Sequence, residues 1–183
     1  MFALIIILVI IALLIFAIIS SYNSLQNLKT NIDEAESQID VQLQRRADLI
    51  PNLVATVKGY ANFESKTLRE VISARNGLIS SESLEEKMEA NEKLNGQLSH
   101  MFAVAENYPD LKANQSFTSL QEELTNTENK IGYSRQLYNS CVGTYNRAIL
   151  NFPKNIIANV FHFEKANYLK VEQDAKKPVK VQF

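Results

Sequence analysis

The sequence predicts an all-α protein in which an N-terminal transmembrane helix runs into an antiparallel helical bundle. The bundle has three long helices and one short helix, and an extended C-terminal tail follows it. Residues 2–19 are apolar without interruption, and about 18 or more apolar residues can cross a bilayer as a helix. Behind this run, apolar residues recur at steps of three and four, which is the period of one helix face. We therefore expect an anchor at 1–21, a bundle at 22–168 and a tail at 169–183.

The apolar run from Phe2 to Ile19 is expected to be an uncleaved, single-pass anchor. Only Met1 precedes it, so it lacks the basic start of a secretory signal, and residues 18–22 lack an A-x-A cleavage pattern. The first charged residue is Lys29. Basic residues close to a span favour the cytoplasmic side, so the bundle is expected in the cytoplasm.

The first long helix continues directly from the anchor. A kink or restart is expected near Asp48–Ile50, because Pro51 lacks a backbone donor and crowds the preceding turn. The second long helical region reads from about Phe63 to Tyr108. Within it, Ser81 or Ser83 could cap a second part, since serine is a preferred N-cap residue.

The third helix has the most regular period in the chain. Its seam residues are Phe117, Leu120, Leu124, Thr127, Ile131, Ser134, Tyr138, Cys141, Tyr145, Ala148 and Phe152. Such a heptad pattern is typical of left-handed helix packing. Phe152-Pro153 is expected to end this helix, and a short fourth helix is predicted from about Lys154 to Tyr168.

Composition excludes several classes of function. The formal net charge is −1 with both signs mixed along the chain, so no basic face for nucleic acid is expected. One cysteine, Cys141, and two histidines provide neither a disulfide nor a zinc site. The chain also lacks the common catalytic motifs. We therefore expect no catalytic residue, cofactor, metal or small-molecule substrate.

A group of charged residues forms a candidate structural polar network. Its members are Asp40, Arg45, Arg46, Asp48, Glu128 and Arg135. Arg45 or Arg46 would pair with Glu128, and Arg135 would meet Asp40 or Asp48, which would fix the register of the helices. The alternative is that these are solvated charges on helix flanks.

Two tyrosine–asparagine pairs lie one heptad apart on the third helix, Tyr138-Asn139 and Tyr145-Asn146. They form a candidate strip for a partner helix. The structural interpretation, which we favour, is that buried tyrosine hydroxyls need hydrogen-bond partners.

The C-terminal residues carry a separate hypothesis. Val181 and Phe183 give an apolar-x-apolar ending, which strand-adding peptide-binding domains accept. The simpler expectation is that the tail packs on its own bundle.

Several long motifs resemble the LemA family of bacterial membrane proteins. They are SQIDVQLQRRADLIPNLV at 37–54, TVKGY at 56–60, AENYPDLKAN at 105–114, LQEELTNTEN at 120–129 and the two Tyr-Asn pairs. The resemblance implies a single-pass anchor in the bacterial cytoplasmic (inner) membrane and a long helical bundle. It implies no accepted catalytic residue. The sequence departs from the family pattern around residues 76–89.

The expected function is a non-catalytic scaffold or adaptor for membrane or envelope proteins. Its partners would be the lipid bilayer and other membrane proteins or further copies of itself. One alternative is a hydrolase with a dispersed acidic site using Asp40, Asp48 or Glu128. Another is a self-assembling membrane structural protein, although the span lacks the G-x-x-x-G dimer motif.

Overall fold

The computed structural model describes residues 1–60 and 64–170, and this part of the chain is helical with no strand. Its helices are α1 (Phe2–Lys58), α2 (Ser65–Ser80), α3 (Leu84–Ala105), α4 (Pro109–Lys112), α5 (Gln115–Leu150) and α6 (Lys154–Val160). The all-α prediction is confirmed. The helices form two compact units, one of Met1–Ala35 with Gln136–Phe183 and one of Glu36–Arg135. Beyond residue 170 the predicted tail, with Val181 and Phe183, lies outside the described residues.

The first part of α1 presents only apolar side chains, and every residue from Phe2 to Ile19 is exposed. It is long and apolar enough to cross a membrane. Burial begins only at Leu25. An exposed apolar surface all round a helix is costly in water, whereas lipid is a suitable solvent for it.

Helix α1 continues unbroken through Pro51, so the restart expected at Asp48–Ile50 does not occur. Proline removes the N–H that would bond the carbonyl four residues earlier, here that of Ala47. The Nε of Arg75 on α2 donates to this Ala47 oxygen at 2.8 Å. A side chain from the neighbouring helix therefore satisfies the carbonyl that Pro51 leaves without a donor.

The second helical region is divided into α2 and α3, and Ser83 is the N-cap of α3. The Ser83 Oγ accepts from the Glu86 N–H at 3.3 Å, and the Glu86 carboxylate accepts from the Ser83 N–H at 3.2 Å. This reciprocal pair is a capping box. The hydrogen bond from the Ser83 backbone lowers the pKa of the Glu86 carboxyl from its ordinary value.

In the Glu36–Arg135 unit, α1 and α5 are antiparallel. Tyr60, just after α1, accepts a hydrogen bond from Asn114, just before α5, at 3.0 Å. Further along, Arg46 contacts Glu128. Fourteen residues separate the two contacts on each chain segment, so both helices advance by about 21 Å between them. The antiparallel packing follows the expected bundle.

The predicted seam of α5 is largely confirmed, and Val142 beside it is fully buried. Its last member, Phe152, is an exception because α5 ends at Leu150 and the Phe152 side chain is 79% exposed. The fourth helix is also shorter than expected. It ends at Val160, and residues 163–170 are non-helical.

Candidate functional site

The most buried charged side chain described in the structure is Arg46 on α1, which is 3% exposed. Its guanidinium donates to Asn91 Oδ1 at 2.9 Å and to Asn95, both on α3. It also forms an ion pair with Glu128 on α5. Burial lowers the pKa of Arg46 to about 10, so the side chain keeps its charge at neutral pH.

The Arg46 contacts connect three helices of the Glu36–Arg135 unit at one level. Asn91 supports the same pair, since its Nδ2 donates to Glu128 at 3.4 Å and its side chain is almost fully buried. A planar guanidinium with several fixed donors can satisfy such a set only in one arrangement. The network therefore joins α1, α3 and α5 at this level.

The other predicted network residues lie elsewhere. Arg45, which is half-exposed, pairs with Glu123 and not with Glu128. Asp40 pairs with Lys87 at 2.8 Å, and Asp48 accepts a hydrogen bond from Gln44 at 2.8 Å.

The predicted contact of Arg135 with Asp40 or Asp48 is wrong, because Arg135 forms no ion pair within residues 1–60 and 64–170. Both aspartates line a groove formed by α1 with the α2–α3 region, and no α5 residue lines it. The aspartates face a different neighbour from the one that carries Arg135.

The two tyrosine–asparagine pairs of α5 bind the segment that follows α6. Asn146 Nδ2 donates to the Ala166 oxygen at 2.9 Å, and its Oδ1 accepts from the Ala166 N–H at 3.0 Å. Asn139 makes the same two bonds with Leu169, at 3.1 and 2.9 Å. Each asparagine amide thus pairs with one residue's backbone, as a neighbouring β-strand would.

The tyrosines complete this arrangement, which we call the Tyr-Asn ladder (Tyr138, Asn139, Tyr145 and Asn146). Tyr145 donates to the Glu164 oxygen at 2.8 Å, and Tyr138 donates to the Asn167 oxygen at 3.2 Å. Burial, then the nearby Glu164 charge, raises the pKa of the Tyr145 phenol.

The heptad spacing of the Tyr-Asn ladder matches the spacing of the bound segment. Seven residues of helix rise by about 10.5 Å, and three residues of extended chain span about 10 Å. Asn139 and Asn146 therefore meet Leu169 and Ala166 in register. The strip that was a candidate for a partner helix instead holds residues 164–169 of its own chain.

The turn after α6 was not found by sequence reasoning. Phe163 N–H donates to the Ala158 oxygen at 2.9 Å, and His162 has a positive φ of 57°. This is the Schellman ending of a helix, in which glycine is the usual residue at the left-handed position. No glycine or proline marks the stop in the sequence, so nothing in the local pattern indicated that the helix ends here.

The residues after α5 also contact the helix that emerges from the apolar run. The Tyr22 ring lies 4.9 Å from that of Phe161 and 5.6 Å from that of Phe163, measured between centroids. Lys154 Nζ donates to Ser24 Oγ at 2.7 Å. These contacts lie within the unit of Met1–Ala35 and Gln136–Phe183.

Of the three acidic residues named for a hydrolase, two share one cleft and the third does not. Asp40 and Asp48 both line the groove beside α2 and α3. Glu128 instead lines a separate pocket of about 200 Å³ with Arg46 and Asn95. Each of the three carboxylates has a different partner within the described chain.

A helical domain behind an exposed apolar N-terminal helix defines the class, a helical protein with a candidate membrane anchor. The model of the LemA family matches residues 35–183. The chain therefore belongs to the LemA family.

Three relatives extend this similarity over most of the chain. Protein LemA of Metamycoplasma hominis is 27% identical over 169 residues, which cover 87% of this chain and 76% of that protein. Magnetosome protein MamQ 2 of Paramagnetospirillum magneticum is 24% identical over 192 residues, which cover 90% of this chain and 70% of that protein. Magnetosome protein MamQ of Magnetospirillum gryphiswaldense is 22% identical over 191 residues, which cover 90% of this chain and 70% of that protein. None of these names denotes a reaction.

Proposed function

We propose that this protein is a membrane-anchored, non-catalytic scaffold or adaptor that binds other membrane or envelope proteins. The helix of residues 2–19 crosses the bacterial cytoplasmic membrane once, and the helical bundle lies on the cytoplasmic side. The exposure of every apolar side chain in that run supports anchoring. Membership of a family whose compared relatives carry no reaction in their names supports binding rather than catalysis.

One observation carries the binding role, an open groove of about 890 Å³ in the Glu36–Arg135 unit. Val41 and Ile79 both line it, yet they are 62% and 49% exposed. Single exposed apolar residues are ordinary, but two that share a concave surface are characteristic of an interaction site. A small ligand normally needs a pocket that encloses most of it, so an open groove suits a segment of another protein better.

Charged residues also line the groove. They are Arg45, Asp48 and the Asp40–Lys87 ion pair. Protein interfaces commonly combine apolar residues with charged ones, because hydrated charges select the partner.

Photo-crosslinking in intact membranes tests this proposal. A photoreactive residue at Val41 or at Ile79 of the full chain should form a discrete adduct with another membrane or envelope protein. Tyr133 provides a matched control, because it is 74% exposed in the same unit and does not line the groove. The Val41 adduct should disappear when Ile79→Glu places a charge in the groove.

The outcomes separate the candidate functions. Adducts that join only copies of this chain would favour the self-assembling structural protein. An equal adduct at Tyr133, or none at either groove position, would contradict the scaffold. The hydrolase is the less supported candidate, since Glu128 is engaged by Arg46 away from the groove that Asp40 and Asp48 share.

A further inference from the structure

Helix α6 presents an apolar face that no other described residue covers. Ile156 and Val160 are four residues apart within α6, so they lie on one side of it, and Phe152 just before the helix is exposed as well. Ile156, Val160 and Phe152 are 52%, 62% and 79% exposed. The opposite side is packed, since Ile157 and Ala158 are buried. A short helix with one buried face and one exposed apolar face needs a second apolar environment.

The position of α6 along the anchor indicates what that environment is. Lys154, its first residue, bonds Ser24, and Phe161, which follows its last residue, packs on Tyr22. Tyr22 and Ser24 lie three and five residues beyond Ile19, the last residue of the apolar run. At a helical rise of 1.5 Å per residue these positions are about 4.5 and 7.5 Å past the run.

That distance corresponds to one specific layer of a bilayer. Its polar headgroup region is about 5–7 Å thick on each side of the hydrocarbon core. A helix fixed to Tyr22 and Ser24 therefore lies at the level of the headgroups. Tyrosine is enriched at this level, and Tyr22 lies there with Phe161 packed against its ring.

We propose that α6 is an interfacial membrane helix, which inserts Ile156 and Val160 at the boundary between the headgroups and the acyl chains. This inference rests on the proposed anchoring through residues 2–19. The bilayer that the anchor crosses covers the exposed face of α6. The membrane then contacts the protein at two sites, and the second contact fixes the orientation of the unit formed by Met1–Ala35 and Gln136–Phe183.

Depth-dependent fluorescence quenching tests this proposal on the full chain. The protein contains no tryptophan, so a single introduced tryptophan reports one position. Three variants are reconstituted separately into vesicles of phosphatidylcholine and phosphatidylglycerol without bromine, with bromine near the headgroup end of the acyl chains for Ile156→Trp and Leu137→Trp, and with bromine near the methyl end for Ile10→Trp. Ile156→Trp probes α6 and Ile10→Trp probes the anchor. Leu137→Trp is the matched control, since Leu137 is 44% exposed in the same unit, about 20 Å along α5 from its end.

The expected result is a loss of emission with brominated lipid for Ile156→Trp and for Ile10→Trp, and none for Leu137→Trp. Quenching of Ile10→Trp without quenching of Ile156→Trp would overturn the interfacial helix and leave the anchor intact. An unquenched Ile156→Trp whose emission shifts to shorter wavelength would also overturn the interfacial helix, because protein rather than lipid would then cover the face. Equal quenching of Leu137→Trp would overturn it too, as adsorption would not be specific to α6. Absence of quenching at Ile10→Trp would refute the anchoring itself.

Discussion

At the scale of single residues, Arg46 differs from its neighbour Arg45 although both are arginines on one helix. Arg46 is buried among three helices, and Arg45 forms an ion pair near the surface. A buried charge costs desolvation, which the fixed contacts with Asn91 and Glu128 must offset. Because the Glu128 side chain is 37% exposed, only the arginine half of this ion pair is buried, and we expect the pair to support the arrangement of the helices more than their stability.

Removing the partner of Arg46 should be costly. Glu128→Leu leaves the buried guanidinium without its counter-charge, and we expect a loss of about 3 kcal/mol in the free energy of unfolding. Denaturant unfolding of the detergent-solubilised protein measures this loss. The double variant Arg46→Met, Glu128→Leu should lose less than Glu128→Leu alone, because no unpaired charge remains.

Glu123→Leu is the control for this measurement, as the same substitution removes the exposed pair with Arg45. Its expected cost is below about 1 kcal/mol. Equal losses for Glu123→Leu and Glu128→Leu would show that burial of Arg46 has no energetic role.

Tyr145 provides a pH dependence whose sign follows from its raised pKa. The folded state holds the phenol proton more tightly than the unfolded state, whose pKa is near 10. The stabilisation is therefore complete below pH 10 and is lost as the pH rises through the raised value. In a tyrosinate absorbance titration, Tyr145→Phe should remove an ionisation step that lies above pH 10. The prediction is wrong if the substitution leaves the shape of the titration unchanged.

At the scale of elements, the Tyr-Asn ladder shows how side chains of a helix can bind an extended segment through the backbone of that segment alone. Only backbone atoms of residues 164–169 take part in its six hydrogen bonds. The heptad repeat of α5 supplies the spacing, and the end of α6 at Val160 releases the segment from helical geometry. Neither the heptad spacing of α5 nor the end of α6 would be sufficient alone to form the ladder.

Truncation of the ladder should open the segment locally. In Asn146→Ala, the Ala166 amide loses its acceptor, and its hydrogen exchange should accelerate about tenfold, since a hydrogen bond contributes about 1 kcal/mol or slightly more. Hydrogen exchange read by NMR or mass spectrometry measures the change. Thr144→Val is the matched control, because its hydroxyl bonds only within α5, to the Ser140 oxygen and the Arg147 side chain. Exchange that is unchanged in Asn146→Ala, or raised equally in Thr144→Val, would argue against the ladder.

At the scale of the whole molecule, an apolar helix precedes a domain whose polar residues are used mainly to hold helices together. Arg46, Asp40 and the Tyr-Asn ladder each have partners within the described chain. Exposed apolar side chains remain in the groove, at Val41 and Ile79, and on α6, at Ile156 and Val160.

The membrane topology gives a prediction at this scale. In a Cys141→Ala background, Tyr133→Cys should react with a membrane-impermeant thiol reagent only after the cells are permeabilised, because the bundle is proposed to be cytoplasmic. Alkaline carbonate washing should leave the protein in the membrane fraction. Labelling of Tyr133→Cys in intact cells would show that the bundle lies outside the cytoplasm. Release of the protein by carbonate would contradict the membrane anchor.

The division of the chain into anchor, bundle and tail remains a prediction, but the helices and most of their buried faces followed from the sequence. The apolar run and the seam of α5 are local patterns, and local periodicity determines which face of a helix is buried. The sequence also predicts a serine N-cap at Ser81 or Ser83, and the structure has the capping box at Ser83.

Tertiary structure alone decided which of Arg45 and Arg46 is buried, and what the Tyr-Asn pairs bind. Adjacent residues on a helix point about 100° apart, so the rotation of α1 against its neighbours selects between the two arginines. The end of α6 at Val160 carries no residue that breaks a helix, and it is stabilised by contacts with Tyr22 and with α5. These choices depend on residues far apart in the chain, which a local pattern does not bring together.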